Sequence, residues 1–226
     1  MTMLIVFDVD GTLVGGEAAD WACFDQAVSG VLDLAPGTPY FNSQTEMTAQ
    51  AVAQSAIQVA GRPLGAGLEE QIRETYLANL QRTLAADPQA FQARPGAREL
   101  FEHLRSRPGV QVAIATGDWH EPITLKLSAA GINVDGIPIA TSSDRLARAE
   151  IIALVVERAG RRLAEAVYVG DGLWDLRACR TLGVPFIGTG RRLALLVEAG
   201  ARHVVEHFGP DLLVERVAAA LAASPG

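Results

Sequence analysis

Apolar runs and helical periodicities alternate along this chain, and the alternation is interrupted once. Residues 3–7, MLIVF, form a run rich in β-formers and bounded by Gly11, the pattern of a strand buried on both faces. Residues 110–115, 166–169 and 184–187 repeat it, 134–140 contains a shorter version, and Val204-Val205 reads as a last short strand. Between the runs, 97–105, 121–130, 146–159, 176–182 and 191–198 read as helices, as does 211–223, with Asp211 placed as its cap. The interruption follows Gly15-Gly16, a pair that suits a hinge. Trp21, Phe24, Val28, Val31 and Leu32 recur at helical spacing, 45–59 is a second helical stretch, and Ile72, Tyr76, Leu77, Leu80 and Leu84 mark a third over 68–84. No strand pattern appears there. Alternating strands and helices predict an α/β fold, a doubly wound parallel sheet. Its core would be residues 1–14 and 94–226, with a helical cap domain inserted over 15–93.

Polar residues gather where the predicted strands end. Asp8 and Asp10 follow the first run, and Thr116 and Gly117 follow the second. Arg145 and Arg148 stand before and at the start of the helix that carries Ile151 and Ile152, and Asp171 and Asp175 lie in GDGLWD after a later run. Open parallel sheets bind ligands beyond the carboxyl ends of their strands, so all four groups can meet above one edge. Residues two apart on a strand share a face, which leans Asp8 and Asp10 toward one spot. Their mutual repulsion beside apolar sequence calls for a compensating cation, and a hard divalent ion such as Mg²⁺ takes carboxylate, carbonyl and water oxygens.

At 226 residues and a net charge of −7, the chain is long enough for a sizeable core and lacks the basic runs of a nucleic-acid binder. Cys23 and Cys179 give no metal spacing and are expected free and buried. With no leader pattern and no apolar run of bilayer length, the expectation is a cytoplasmic protein, monomeric or a small homo-oligomer, without membrane or nucleic-acid partners.

The order of these groups resembles the four motifs of the haloacid-dehalogenase-like hydrolases, and the phosphoglycolate phosphatase-like branch above all, through DVDGT at 8–12, the position of the helical cap and GDGLWD at 170–175. The resemblance implies a Mg²⁺-dependent phosphatase acting on a small phosphorylated metabolite. Asp8 would be the nucleophile that forms an aspartyl-phosphate, and Asp10 the general acid and base. Asp8, the carbonyl of Asp10, Asp171 and Asp175 would hold the metal, and Thr116, Gly117 and a cation would bind phosphate. The family usually places a lysine in its third motif. SSDRLARAEII has none, so Arg148 is assigned that part, with Arg145 as the alternative.

The resemblance also sets the rivals. A haloacid dehalogenase would lack the second aspartate, and a phosphonatase would need a cap lysine, which 15–93 does not contain. A sugar phosphomutase of the same fold, or a catalytically weak phosphate-binding regulatory protein, stays open. Trp119 and Trp174 are assigned to pocket walls or packing, His120 to the surface, and Lys126 to an exposed helix position near the second motif. Substrate choice is expected from the loop with Tyr40, Phe41, Asn42, Gln44, Thr45 and Glu46.

Overall fold

The run at 3–7 becomes β1 (Met3–Phe7), the central strand. Its side chains alternate between two cores. Leu4 and Val6 enter one and Ile5 and Phe7 the other, all fully buried, as expected of a strand covered on both faces. The computed structural model describes residues 2–35, 37–42, 46–65 and 67–222. The helix end expected at Ala223 and the loop positions Gln44 and Thr45 lie outside the described residues.

β2 (Val110–Ala115), β3 (Ile139–Ala140), β4 (Ala166–Gly170), β5 (Phe186–Gly188) and β6 (His203–Val204) complete a sheet of order β3-β2-β1-β4-β5-β6. Every pairing is parallel, with Ile5 opposite Val112 on one side and Val167 on the other. The chain builds outward from β1 to β3 and then restarts at β4. The crevice between the ends of β1 and β4 is therefore a topological switch point, where such sheets bind ligands. β5 begins after Pro185 rather than at Val184, because proline has no N–H for the ladder, though its carbonyl still accepts from Tyr168 N at 2.9 Å.

α4 (Ala97–Ser106), α5 (His120–Ala129) and α9 (Pro210–Ala222) pack on the Ile5 and Phe7 side. α6 (Arg148–Arg158), α7 (Leu173–Leu182) and α8 (Leu193–Glu198) cover the Leu4 and Val6 side. Cys23 and Cys179 are free and buried. Among the described residues no helix is long and apolar enough to cross a membrane.

Between β1 and α4 lie α1 (Glu17–Leu32), α2 (Ala49–Val59) and α3 (Leu68–Ala86), with no strand among the described residues. α2 starts later than Thr45 because Thr48 caps it, its hydroxyl accepting from Ala51 N at 3.3 Å. Trp21, expected on an apolar helical face, is 41% exposed and stands at the mouth of the cavity described below. The two crossings into this helical segment are tied together: Val14 bridges Ala93 antiparallel, and Arg94 N donates to Leu13 O at 2.9 Å. Gly16, at φ 95°, opens α1 with the Ala90 carbonyl against it, so a Cβ would meet both left-handed strain and backbone.

Phe7 meets Phe101 of α4 edge-on, with ring centroids 5.7 Å apart and both side chains fully buried. Phe101→Ala is expected to lower unfolding free energy by about 3–5 kcal/mol, read by urea titration. A loss below about 1 kcal/mol would mean that this core relaxes around the cavity far more than cores of its density do.

Candidate active site

The tight turn after β1 sets the site. Thr12, Leu13 and Val14 all direct their N–H groups at the Val9 carbonyl, which turns the chain back within four residues. Gly11 makes this possible at φ 78°, and the Asp171 carboxylate lies so close to it that any Cβ would collide. Asp8 extends the ladder, its N–H donating to Val169 O at 2.9 Å, so its side chain is fixed beside the end of β4.

Asp8, Thr116, Gly117 and Arg148 share one cavity of about 130 Å³ with Asp10, close to the ~150 Å³ that holds a benzene-sized guest. Trp21, Phe24, Val52, Tyr76 and Trp174 wall it. α2 roofs it and is stitched to the sheet edge, with Ala49 N donating to Gly117 O at 2.7 Å and Thr48 Oγ1 to Leu146 O at 2.8 Å. Asp171 and Asp175 approach Asp8 from the β4 side, and one carboxylate oxygen from each of the three lies within 4.8 Å of the others.

Two buried cations divide the carboxylates. Arg148 is 5% exposed; its Nη1 lies 3.1 Å from Asp8 and its Nε 3.3 Å from Asp175. Its Nη2 donates to Met47 O at 3.3 Å and would be 2.7 Å from a Cβ on Gly117, so the glycine is what lets the guanidinium reach the site. Burial opposes its charge, but Asp175 and Asp8 hold it protonated. Arg145, the alternative, is exposed and donates to the backbone of Asp144 at 2.8 Å.

Lys126 is the second cation, and here the structure corrects the sequence reading. It is fully buried, with Nζ 2.6 Å from Asp10 Oδ1, 2.8 Å from Asp20 Oδ1 and 2.8 Å from Asp118 Oδ2. Tyr76 Oη closes the group, 2.6 Å from Asp20 and 3.0 Å from Asp118. Asp20, Tyr76 and Asp118 are thus site residues that the motifs did not reveal. Two signals were available. Lys126 falls on the buried stripe of α5 with Ile123 and Leu127, together forming the i, i+3, i+4 spacing of one buried helix face. It is also the one lysine among 19 lysines and arginines, in a chain that uses arginine at every other basic position.

Asp8 and Asp10 therefore line one cavity but are held by different cations, because the strand ends at Phe7 and its two-residue alternation does not continue through the turn. Burial raises the Asp8 carboxyl above its ordinary range, with Arg148 opposing. Asp10 is raised well above its ordinary range, by burial first; Lys126 opposes this, and the Asp20 and Asp118 charges add to it. Asp171 is pushed up to about 7 and Asp175 to about 8, in both cases by burial first. Asp8 adds repulsion to each, while Arg148 offsets part of it. Burial opposes the ionisation of all three carboxylates, a cost that a divalent ion such as Mg²⁺ would relieve, and their hard oxygen atoms fit it.

Other expectations fare unevenly. His120 is exposed, Trp119 is buried against Phe24 and Tyr76, and Trp174 lines the cavity. In the expected specificity loop, Tyr40 turns inward and donates to Asp25 at 2.8 Å, and Phe41 packs edge-on to Trp21. Met47 and Thr48, just beyond that loop, are the residues that reach the cavity.

Comparison with known proteins agrees with this architecture. A phosphoglycolate phosphatase from Synechococcus elongatus is 27% identical over 180 residues, 80% of each chain. A hydrolase from Pseudomonas syringae superposes with a TM-score of 0.74 at 24% identity, covering 94% of this chain and 96% of that one. The β-phosphoglucomutase of Clostridium difficile has the same fold, with a TM-score of 0.74 at 14% identity and coverage of 98% and 100%. The family match spans residues 2–183, from the first strand through the helix that carries Asp175, and the chain belongs to the haloacid dehalogenase-like hydrolases.

Proposed function

We propose that this hydrolase is a Mg²⁺-dependent phosphatase that cleaves a small phosphorylated metabolite through an aspartyl-phosphate on Asp8. The observation that carries the reading is the single cavity in which Asp8, Asp10, Thr116, Gly117 and Arg148 converge beside the Asp8, Asp171 and Asp175 triad. The phosphoglycolate phosphatase relative supports the reaction class.

Each group has a task that its surroundings suit. A phosphate monoester is a dianion, and a carboxylate cannot approach it without charge neutralisation. Arg148 and the Thr116 hydroxyl lie beside Asp8, where they would hold the phosphoryl oxygens and keep the phosphorus in line with the nucleophile. Bound at Asp8, Asp171 and Asp175, with the Asp10 carbonyl as a further ligand, Mg²⁺ would supply the remaining neutralisation. Asp8 attacks phosphorus as the bond to the leaving oxygen breaks, and Asp10 gives that oxygen its proton. Asp10, then a carboxylate, takes a proton from water as water attacks the aspartyl-phosphate and releases phosphate. Burial raises the Asp10 carboxyl, the direction that favours the protonated form a general acid needs.

A phosphate-binding regulator would have no use for a second aspartate beside the first.

Phosphate release from a panel of phosphorylated metabolites, phosphoglycolate included, is expected to require Mg²⁺ and to fall to background in Asp8→Asn. Release that persists in Asp8→Asn would identify another nucleophile. Metal binding can be read without turnover. Mg²⁺ at 100 times its dissociation constant is expected to add about 2.7 kcal/mol to unfolding free energy, and Asp171→Asn to abolish most of that gain. An equal gain in wild type and variant would place the ion elsewhere.

A further inference from the structure

Lys126 is used by none of the steps above, although it is the only lysine in the chain and fully buried. An ammonium has three N–H donors. At Lys126 they meet three carboxylates, Asp10 at 2.6 Å and Asp20 and Asp118 both at 2.8 Å. Burying a charge is costly unless it is fully paired, so an ordinary helix position would carry leucine here, as positions 125 and 127 do.

The partners come from four separate places. Asp10 follows β1, Asp118 follows β2, Asp20 lies on α1 and Tyr76 on α3. Tyr76 braces Asp20 and Asp118 from the far side, and Asp118 Oδ1 is fixed by the Trp119 N–H at 2.7 Å. Lys126 is therefore held on three sides and has one catalytic neighbour. It takes Oδ1 of Asp10, whose side chain is about a quarter exposed and lines the cavity.

We propose that Lys126 is the positioning residue for Asp10. Its ammonium clamps one carboxylate oxygen so that the other faces the leaving-group oxygen, and Asp20 and Tyr76 from the inserted helices complete the clamp. The inference rests on the reading of Asp10 as general acid. In the first step the Asp8–phosphorus bond forms and the phosphorus–oxygen bond to the leaving group breaks. The departing electron pair takes the proton from Asp10, which is left as a carboxylate against Lys126. A misdirected Asp10 would impair that proton transfer while leaving attack by Asp8 intact.

Leaving-group dependence separates this role from a merely structural one. p-Nitrophenolate departs without a proton, whereas an alkoxide needs one. Under single-turnover conditions with enzyme in excess, and with release of the leaving alcohol or phenol followed so that only the first step is read, Lys126→Met is expected to slow the best alkyl monoester of the panel about 100-fold or more, within the range general acids supply. The same variant should leave p-nitrophenyl phosphate near the wild-type rate. Tyr76→Phe and Asp20→Asn should show the same selectivity with smaller losses, and they decide the matter if Lys126→Met fails to fold by far-UV circular dichroism. Equal slowing of both esters, or no slowing of either, would overturn the proposal.

A second readout needs no turnover. With ¹⁵N-lysine labelling the chain gives one side-chain ammonium resonance, because it has one lysine. Asp10→Asn should shift it strongly, and an unmoved resonance would mean that the contact is absent in solution. A wild type that releases phosphate from neither ester would count against the phosphatase reading, while the resonance would still report on the clamp.

Discussion

Six carboxylates crowd the carboxyl edge of this sheet, and their repulsion is the constraint that the rest of the site answers. Asp8, Asp171 and Asp175 gather around Arg148, and Asp10, Asp20 and Asp118 around Lys126. Either cation alone would leave several buried acids unpaired, and an unpaired buried charge costs about 3–5 kcal/mol. The two sets touch the same cavity from different sides. Asp8 and Asp10, two residues apart in sequence, thereby acquire separate environments, which is what a nucleophile and an acid need if both are carboxylates.

The two cations are not interchangeable. Arg148 has a flat guanidinium, which lies along the edge of the site, with Nη1 on Asp8, Nε toward Asp175 and Nη2 on the Met47 carbonyl. That shape fits under α2 only because position 117 has no side chain, and it matches the planar, bidentate recognition that phosphate offers. Lys126 presents a compact ammonium whose donors diverge, matching three acids that arrive from β1, β2 and α1. In a chain otherwise committed to arginine, one lysine is retained where the geometry is three-cornered rather than flat.

How far the sequence carried depended on whether chemistry lay at strand ends or across elements. The parallel sheet, the two-faced β1 and the meeting of Asp8, Thr116, Arg148 and Asp171 were legible, because burial periodicity and the switch-point rule both act locally along the chain. The strand at Phe186 began two residues late owing to Pro185, a difference written in the sequence but subordinate to the apolar pattern. The Lys126 cluster was not legible in this way. Lys126 and Asp20 alone are 106 residues apart, Asp10 lies farther still along the chain, and no motif spacing encodes a contact that packing of α1 and α3 on α5 creates. Trp21 misled for the related reason that helical spacing marks a face without saying whether that face meets core or cavity.

The same cluster changes what the inserted helices are for. Roofing the cavity with α2 would exclude water and select a guest, and hydrophobic contacts alone could do that. Phe24, Tyr76 and Trp119 already supply an aromatic seam between α1, α3 and the β2 loop. Placing Asp20 and Tyr76 in that seam, in hydrogen-bonding reach of Lys126, adds a polar contact that apolar packing does not require and that tolerates little misplacement, since hydrogen bonds weaken steeply with geometry. The insertion and the β1 turn are thus fitted to each other through one ammonium. Displacing α1 or α3 would open the cavity and, in the same movement, remove the supports that hold Lys126 against Asp10.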